Sequence, residues 1–169
     1  MQAQDILIEA YGRIQAQVAA AVKDLSEQQL AHRPNGKANS IAWLIWHTAR
    51  VQDAQIASVA GHAEVWRSGG WQQKFGLPLE AADTGYGHSN EQVAAVRASA
   101  ELLTDYYDAT WAATKIYLAS LNPDALDSIV DKRWDPPVTL GVRLVSILSD
   151  CLQHVGQANY LRGIVLQQK

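Results

Sequence analysis

Apolar residues recur every three or four positions through four long stretches of the chain, a period that only α-helices can bury on one side. Leu7, Tyr11, Ile14, Val18, Ala21, Val22 and Leu25 predict a first helix over about 3–25. Ser26 and Gln29 have capping-box spacing and imply a short turn, which Arg33-Pro34-Asn35-Gly36 breaks. Asn39 or Ser40 caps a second helix that runs to about Ala60 and stops before Gly61, with Ile41, Leu44, Ile45, Val51 and Val59 along its stripe. Ser89 caps a third, whose stripe runs from Val93 through Val96, Ala100, Leu103, Tyr107 and Trp111 to Leu121 before Asn122-Pro123. Thr139 caps the last, which extends to about Leu166 through Leu140, Leu144, Ile147, Cys151, His154, Ala158, Leu161 and Val165. No strand is expected. The fold class is all-α, a four-helix bundle with long connections between helices 2 and 3 (61–88) and helices 3 and 4 (124–138), in a single domain over residues 1–169.

A chain of 169 residues, 48% hydrophobic, buries about 70% of its unfolded surface and needs no staple to fold. Its one cysteine, Cys151, allows no intrachain disulfide. The net charge of -3 and the lack of a Lys/Arg run argue against a nucleic-acid partner. No stretch approaches the ~18 apolar residues of a membrane span, and Met1-Gln2-Ala3-Gln4-Asp5 has no basic n-region. The expected location is therefore the cytoplasm. Six tryptophans, three of them in connections, point either to core packing or to an aromatic-lined cavity or interface. Loops longer than ~12–15 residues are uncommon in compact domains. The 61–88 connection, with Trp66, Trp71 and Phe75, is thus either a lid over a site or an ordered strap held by its aromatics.

The chemistry concentrates on inward helix faces. His154 lies on the seam of the last helix, and Asp150, four residues earlier, covers the same face one turn away. A carboxylate pointing into a bundle is costly unless paired or bound to a cation, and this spacing lets both side chains reach one ion. His47 lies three after Leu44 and four before Val51, also inward. Each feature has a plainer explanation, a core histidine or a helix-surface pair. The period alone does not choose His47 over His32, His62 or His88, whose loop positions suggest exposure.

Two segments carry a resemblance. The tail Asp150-Cys151-Leu152-Gln153-His154-Val155-Gly156-Gln157, continuing to Gly163, resembles the last helix of the DinB/YfiT-like superfamily, and Ser40-Ile41-Ala42-Trp43-Leu44-Ile45-Trp46-His47-Thr48-Ala49-Arg50 resembles its second helix. Trp66-Arg67-Ser68-Gly69-Gly70-Trp71 with Phe75-Gly76-Leu77-Pro78 is similar to one branch of it. The resemblance implies a divalent metal ion held by His47, Asp150 and His154. Many members have His where this chain has Asp150; a branch resembling mycothiol-dependent maleylpyruvate isomerase carries a carboxylate there. Two imidazoles and a carboxylate with an open fourth position form a catalytic zinc pattern, and nickel, iron and manganese also accept such ligands. Gln157 is expected either to support a ligand or touch substrate, or to pack as an amide between helices. Arg50 is expected either to meet an anionic substrate or to pair at the surface with Asp53 or Asp5. Trp43 is expected either to wall the pocket or to pack in the core, and Trp71 to cover the site if the 61–88 connection is a lid.

The resemblance further implies an enzyme that transfers a low-molecular-weight thiol of the mycothiol, bacillithiol or glutathione type to a small electrophile, in detoxification or stress response. The ion-bound thiol or water, not a side chain, would be the reacting group. The competing expectation is a non-catalytic, stress-related binding protein for a metal or small molecule. Homodimers are expected in either case.

Overall fold

The computed structural model describes residues 2–167. Four long helices form the bundle: α1 (Ala3–Val22), α3 (Ile41–Ala60), α7 (Ala100–Ser120) and α8 (Leu140–Gln167). The short helices α2 (Glu27–Leu30), α4 (Val65–Ser68), α5 (Trp71–Phe75) and α6 (Asn90–Ala95) lie in the connections. Among the described residues the all-α expectation holds except for one small hairpin. Ile129–Asp131 (β1) pairs antiparallel with Val138–Thr139 (β2) where no strand was expected. These strands are too short for their alternation to show in sequence.

The expected caps are present. The Ser26 and Gln29 side chains complete a capping box on α2, and the Ser40 side chain accepts from Trp43 N–H at the start of α3. Gly61 ends α3 at φ 72°, a left-handed position that suits glycine. The third expected helix is corrected: it is two helices, broken where Val96 turns extended (ψ 100°). The Ser99 side chain then caps α7 by accepting from Leu102 N–H. Val93, Val96 and Leu103 are all buried on both sides of that break, so the apolar period runs through it unchanged.

Helix directions explain the long connection. The Tyr11 hydroxyl donates to Leu144 O, and Arg162 donates to Ala21 O, so α1 and α8 are parallel. Gln15 meets Asp108, whereas a Cβ on Gly12 would touch Trp111, so α7 runs against α1. Arg143 on α8 reaches Gln55 and Cys151 reaches Thr48, which makes α3 and α8 antiparallel. It follows that α3 and α7 are parallel. They pack against each other, and α3 also packs against α8 while α7 packs against α1. Parallel neighbours cannot be joined by a tight turn, so residues 61–99 must travel back along the bundle. They do so as an ordered strap: Trp66 and Phe75 are buried, and Trp71 is half-buried against the Tyr106 ring at 5.6 Å.

The strap is fastened by a buried polar cluster. Asp53 on α3 accepts from the backbone N–H groups of Val65 and Trp66 and from the Tyr106 hydroxyl. Arg50 pairs with Glu64 at 2.9 Å and with Asp53 at 3.6 Å, donates to Asp83 O, and lies 5.0 Å from the Trp66 ring. Its side chain is fully buried, so the surface ion pair expected for Arg50 is corrected to an interior one. Burial pushes the Asp53 carboxyl up, and the two backbone donors, the Tyr106 hydroxyl and Arg50 oppose that rise.

Candidate metal centre

The seam between α3 and α8 brings His47, Asp150 and His154 together. One ligand atom from each lies within 4.8 Å of the others. His154 Nε2 is 3.6 Å from Asp150 Oδ1, and the two imidazole centroids are 4.8 Å apart at 75°. An ion with ~2.1 Å bonds in tetrahedral geometry would hold its ligands about 3.4 Å apart, so small side-chain movements suffice to close the set.

The outer nitrogens are already engaged. His47 Nδ1 donates to the carbonyl of Thr84, and His154 Nδ1 donates to Gln157 Oε1 at 3.1 Å. Both rings are thereby fixed in the tautomer whose Nε2 carries a lone pair, the arrangement that supports metal-ligating histidines. Asp150 Oδ2 is buried with no hydrogen-bond partner among the described residues. A buried carboxylate oxygen left without a donor is costly, and a cation at the trio would satisfy it. The residues present therefore fit a divalent ion.

A loop of the strap braces this centre from the side. Gly85 has φ +94°, and a Cβ there would stand 2.7 Å from His47 Nδ1 and 3.1 Å from Trp43. Only glycine lets the Thr84 carbonyl approach the imidazole so closely. Trp43 stacks on His47 with centroids 4.5 Å apart, and its Nε1–H donates to His88 Nδ1. His88 Nε2 bonds Asp83 Oδ1 at 2.8 Å, and the His88 ring stacks on Trp46. The exposure expected for His88 is corrected: its side chain is only 2% accessible. His62, by contrast, is exposed.

Of the residues singled out in the sequence, Gln157 and Trp43 touch the trio, whereas Arg50 and Trp71 belong to the strap's anchorage. Thr84, Gly85 and Asp83 also brace the centre, and no sequence motif points to them. The Gly85-Tyr86-Gly87 run suits a turn, but nothing local tells which side chain that turn approaches. Cys151 is fully buried, and burial pushes its thiol up, which removes the thiolate a nucleophile would need.

Charges within the trio set a pH dependence. Burial lowers the pKa of His47, hydrogen bonding to Asp150 raises that of His154, and His154 lowers that of Asp150. In the ion-free chain the raised His154 contributes stability below its ordinary 6.5, which is lost as pH rises through the folded value. Asp150 contributes above its ordinary 3.8 and loses that contribution as pH falls through the lowered value. Neutral His47 is favoured by burial, so acidification below 6.5 works against the fold there. An ion must displace the proton on His154, so its affinity is expected to rise with pH through the histidine range. Calorimetric zinc titrations at about pH 6 and pH 8 check this; equal affinities with no proton release would contradict it.

The match to known proteins agrees with this geometry. The family model described as mycothiol-S-transferase matches residues 9–167. The chain belongs to the mycothiol-S-transferase family, within the DinB/YfiT-like superfamily. This mycothiol-S-transferase family member is also 34% identical to a conserved protein from Enterococcus faecalis whose crystal structure superposes with a TM-score of 0.92, over 99% of each chain. No curated protein matches it. Among the described residues, no helix of this family member is long and apolar enough to cross a membrane.

Proposed function

We propose that this chain is a metal-dependent S-transferase that joins a low-molecular-weight thiol to a small electrophile, as in detoxification or stress response. One observation carries the proposal: two imidazoles whose outer nitrogens are tied down and one carboxylate with an orphaned oxygen converge on a single point, in a chain of this family. Three protein ligands leave a position open, the pattern of catalytic rather than structural sites. His47 and His154 would hold the ion through Nε2, and Asp150 would offset part of its charge. When bound, the ion supplies Lewis acidity that lowers the pKa of a thiol in the open position into the neutral range. Thr84 and Gln157 keep the two imidazoles aimed, while Trp43 and the Gly85 turn close one side of His47. Asp150 is 40% exposed, so the opposite side stays in contact with water, which takes the proton that the thiol loses. Zinc and nickel suit this ligand set, with iron and manganese as further candidates. A homodimer is part of the same proposal, supported by Val142, Val145 and Leu152 exposed along α8.

The test is turnover with monochlorobimane, a neutral electrophile whose chloride leaves as the C–S bond forms. Protein loaded with zinc or nickel is expected to accelerate conjugation of at least one of mycothiol, bacillithiol and glutathione, and chelation is expected to abolish that rate. Rates equal to the uncatalysed ones with all three thiols would overturn the proposal in favour of a non-catalytic binding role.

A further inference from the structure

A second feature of the α3/α8 seam points to the chemistry of the thiol. Two turns along α3 from His47 is Ala54, and two turns along α8 from Asp150, in the opposite chain direction, is Arg143. Seven residues bring a helical side chain back to nearly the same face, about 10 Å along the axis. The helices are antiparallel, so both displacements run the same way. There the seam opens into a cleft of about 430 Å³ between α3, α8 and the β1–β2 hairpin. Gln55, Ser58, Asp131, Lys132, Arg133 and Arg143 supply its polar groups. Val51 and Ile147, both buried, lie between it and the metal centre.

Three cations and one carboxylate line this cleft. Arg133 reaches Asp131 through Nε and Nη2, and Arg143 reaches it at 2.9 Å while donating to Gln55. The hydrogen bond from Arg133 holds the Asp131 carboxyl well below its ordinary range, so Asp131 is fully ionised and already accounted for. Arg133 Nη1 and the Lys132 ammonium have no partner among the described residues. The hairpin and α8 thus present one guanidinium each in an arrangement that already binds one carboxylate, with donors left over for another.

We infer that this cleft binds a carboxylate of the thiol cosubstrate, so that the chain selects a carboxylate-bearing thiol, of the glutathione or bacillithiol type, over an uncharged sugar thiol. The inference rests on the S-transferase proposal above and deepens it. A thiol of about three residues, at ~3.5 Å per extended residue, is about as long as the ~10 Å offset between the two positions along the seam. The ~10 Å separation then places sulphur at the trio and carboxylate in the cleft.

The test reads binding apart from turnover. S-methylglutathione keeps both carboxylates and has no thiol; its diethyl ester keeps the skeleton and the ammonium and loses both negative charges. Calorimetry on zinc-loaded protein is expected to show the acid binding at least about tenfold more tightly than the ester. Arg143→Gln and the exposed Lys132→Glu are each expected to weaken the acid by about tenfold or more, with zinc affinity and the melting temperature of the Lys132 variant unchanged. With monochlorobimane, both variants are expected to raise KM for glutathione and leave KM for the bimane as it was. Equal binding of acid and ester, or wild-type binding by both variants, would overturn the inference even if conjugation is fast. Variant effects confined to anionic electrophiles would overturn it too, by assigning the cleft to the other substrate. Selective binding of the acid without turnover would uphold the cleft and overturn only the transferase proposal.

Discussion

Asp53→Ala is expected to cost about 3–5 kcal/mol of stability, a large share of what a domain of this size has to lose. Asp53 is buried and takes four donors: two backbone N–H groups at the start of α4, the Tyr106 hydroxyl and the Arg50 guanidinium. Its removal leaves the buried Arg50 with Glu64 as its remaining carboxylate and leaves two strap N–H groups without an acceptor. Asp53→Asn keeps the shape and some of the bonds, so a smaller loss is expected. Urea unfolding of the three proteins measures the difference. A loss below about 1 kcal/mol for the alanine variant, the size of an exposed pair, would show that the strap is not fastened there. Asp83 and Glu64, which bond to Arg50, lie on either side of the strap's length, so the Gly85 turn beside His47 is expected to loosen with it.

His154→Ala is expected to abolish the response of the protein to divalent ions. An outer-sphere partner such as Gln157 accounts for about 10–100-fold in affinity at a typical site, and a direct ligand accounts for more. A ligand that binds the folded chain alone stabilises it by mass action, roughly 4 kcal/mol at a thousandfold excess over Kd. That increment is expected in the wild type and absent in His154→Ala. His88→Ala supplies the contrast. Its ring is buried between Trp43, Trp46 and Asp83, so its loss is expected to lower the melting temperature of the ion-free chain, yet the increment on adding zinc should survive. Thermal melts with chelator and with zinc separate the cases. Matching increments in both alanine variants would place the ion elsewhere.

The bundle was legible because its signal is periodic and long: the stripes on α1 and α8 coincide with the buried positions Leu7 to Val22 and Leu140 to Val165, whereas α3 is buried on every face from Ile41 to Asp53, beyond its apolar stripe. The break at Val96 was not, because Val93, Val96 and Leu103 keep the helical period while one backbone angle departs from it. Of the three expected inward residues only His47 is buried, while His154 and Asp150 lie part-exposed at the edge of the seam; their grouping followed from the resemblance, yet what orients them did not. The Thr84 carbonyl belongs to a loop thirty-seven residues from His47, and a main-chain acceptor has no residue type to search for. Arg50 misled for a related reason. Three residues before Asp53 on a helix, it has the spacing of a surface pair, and only the returning strap buries it. The Arg143 and Asp131 pairing was hidden because it depends on a hairpin too short to announce itself.

The trio is expected to bind a divalent ion. The most direct measurement is calorimetric titration of chelator-stripped wild-type protein with zinc, nickel, iron and manganese in turn, followed by elemental analysis after gel filtration. About one ion per chain is expected to remain, bound with proton release at neutral pH, and His47→Ala is expected to retain none. Retention of no ion by the wild type with any of the four metals, or equal retention by His47→Ala, would contradict the account.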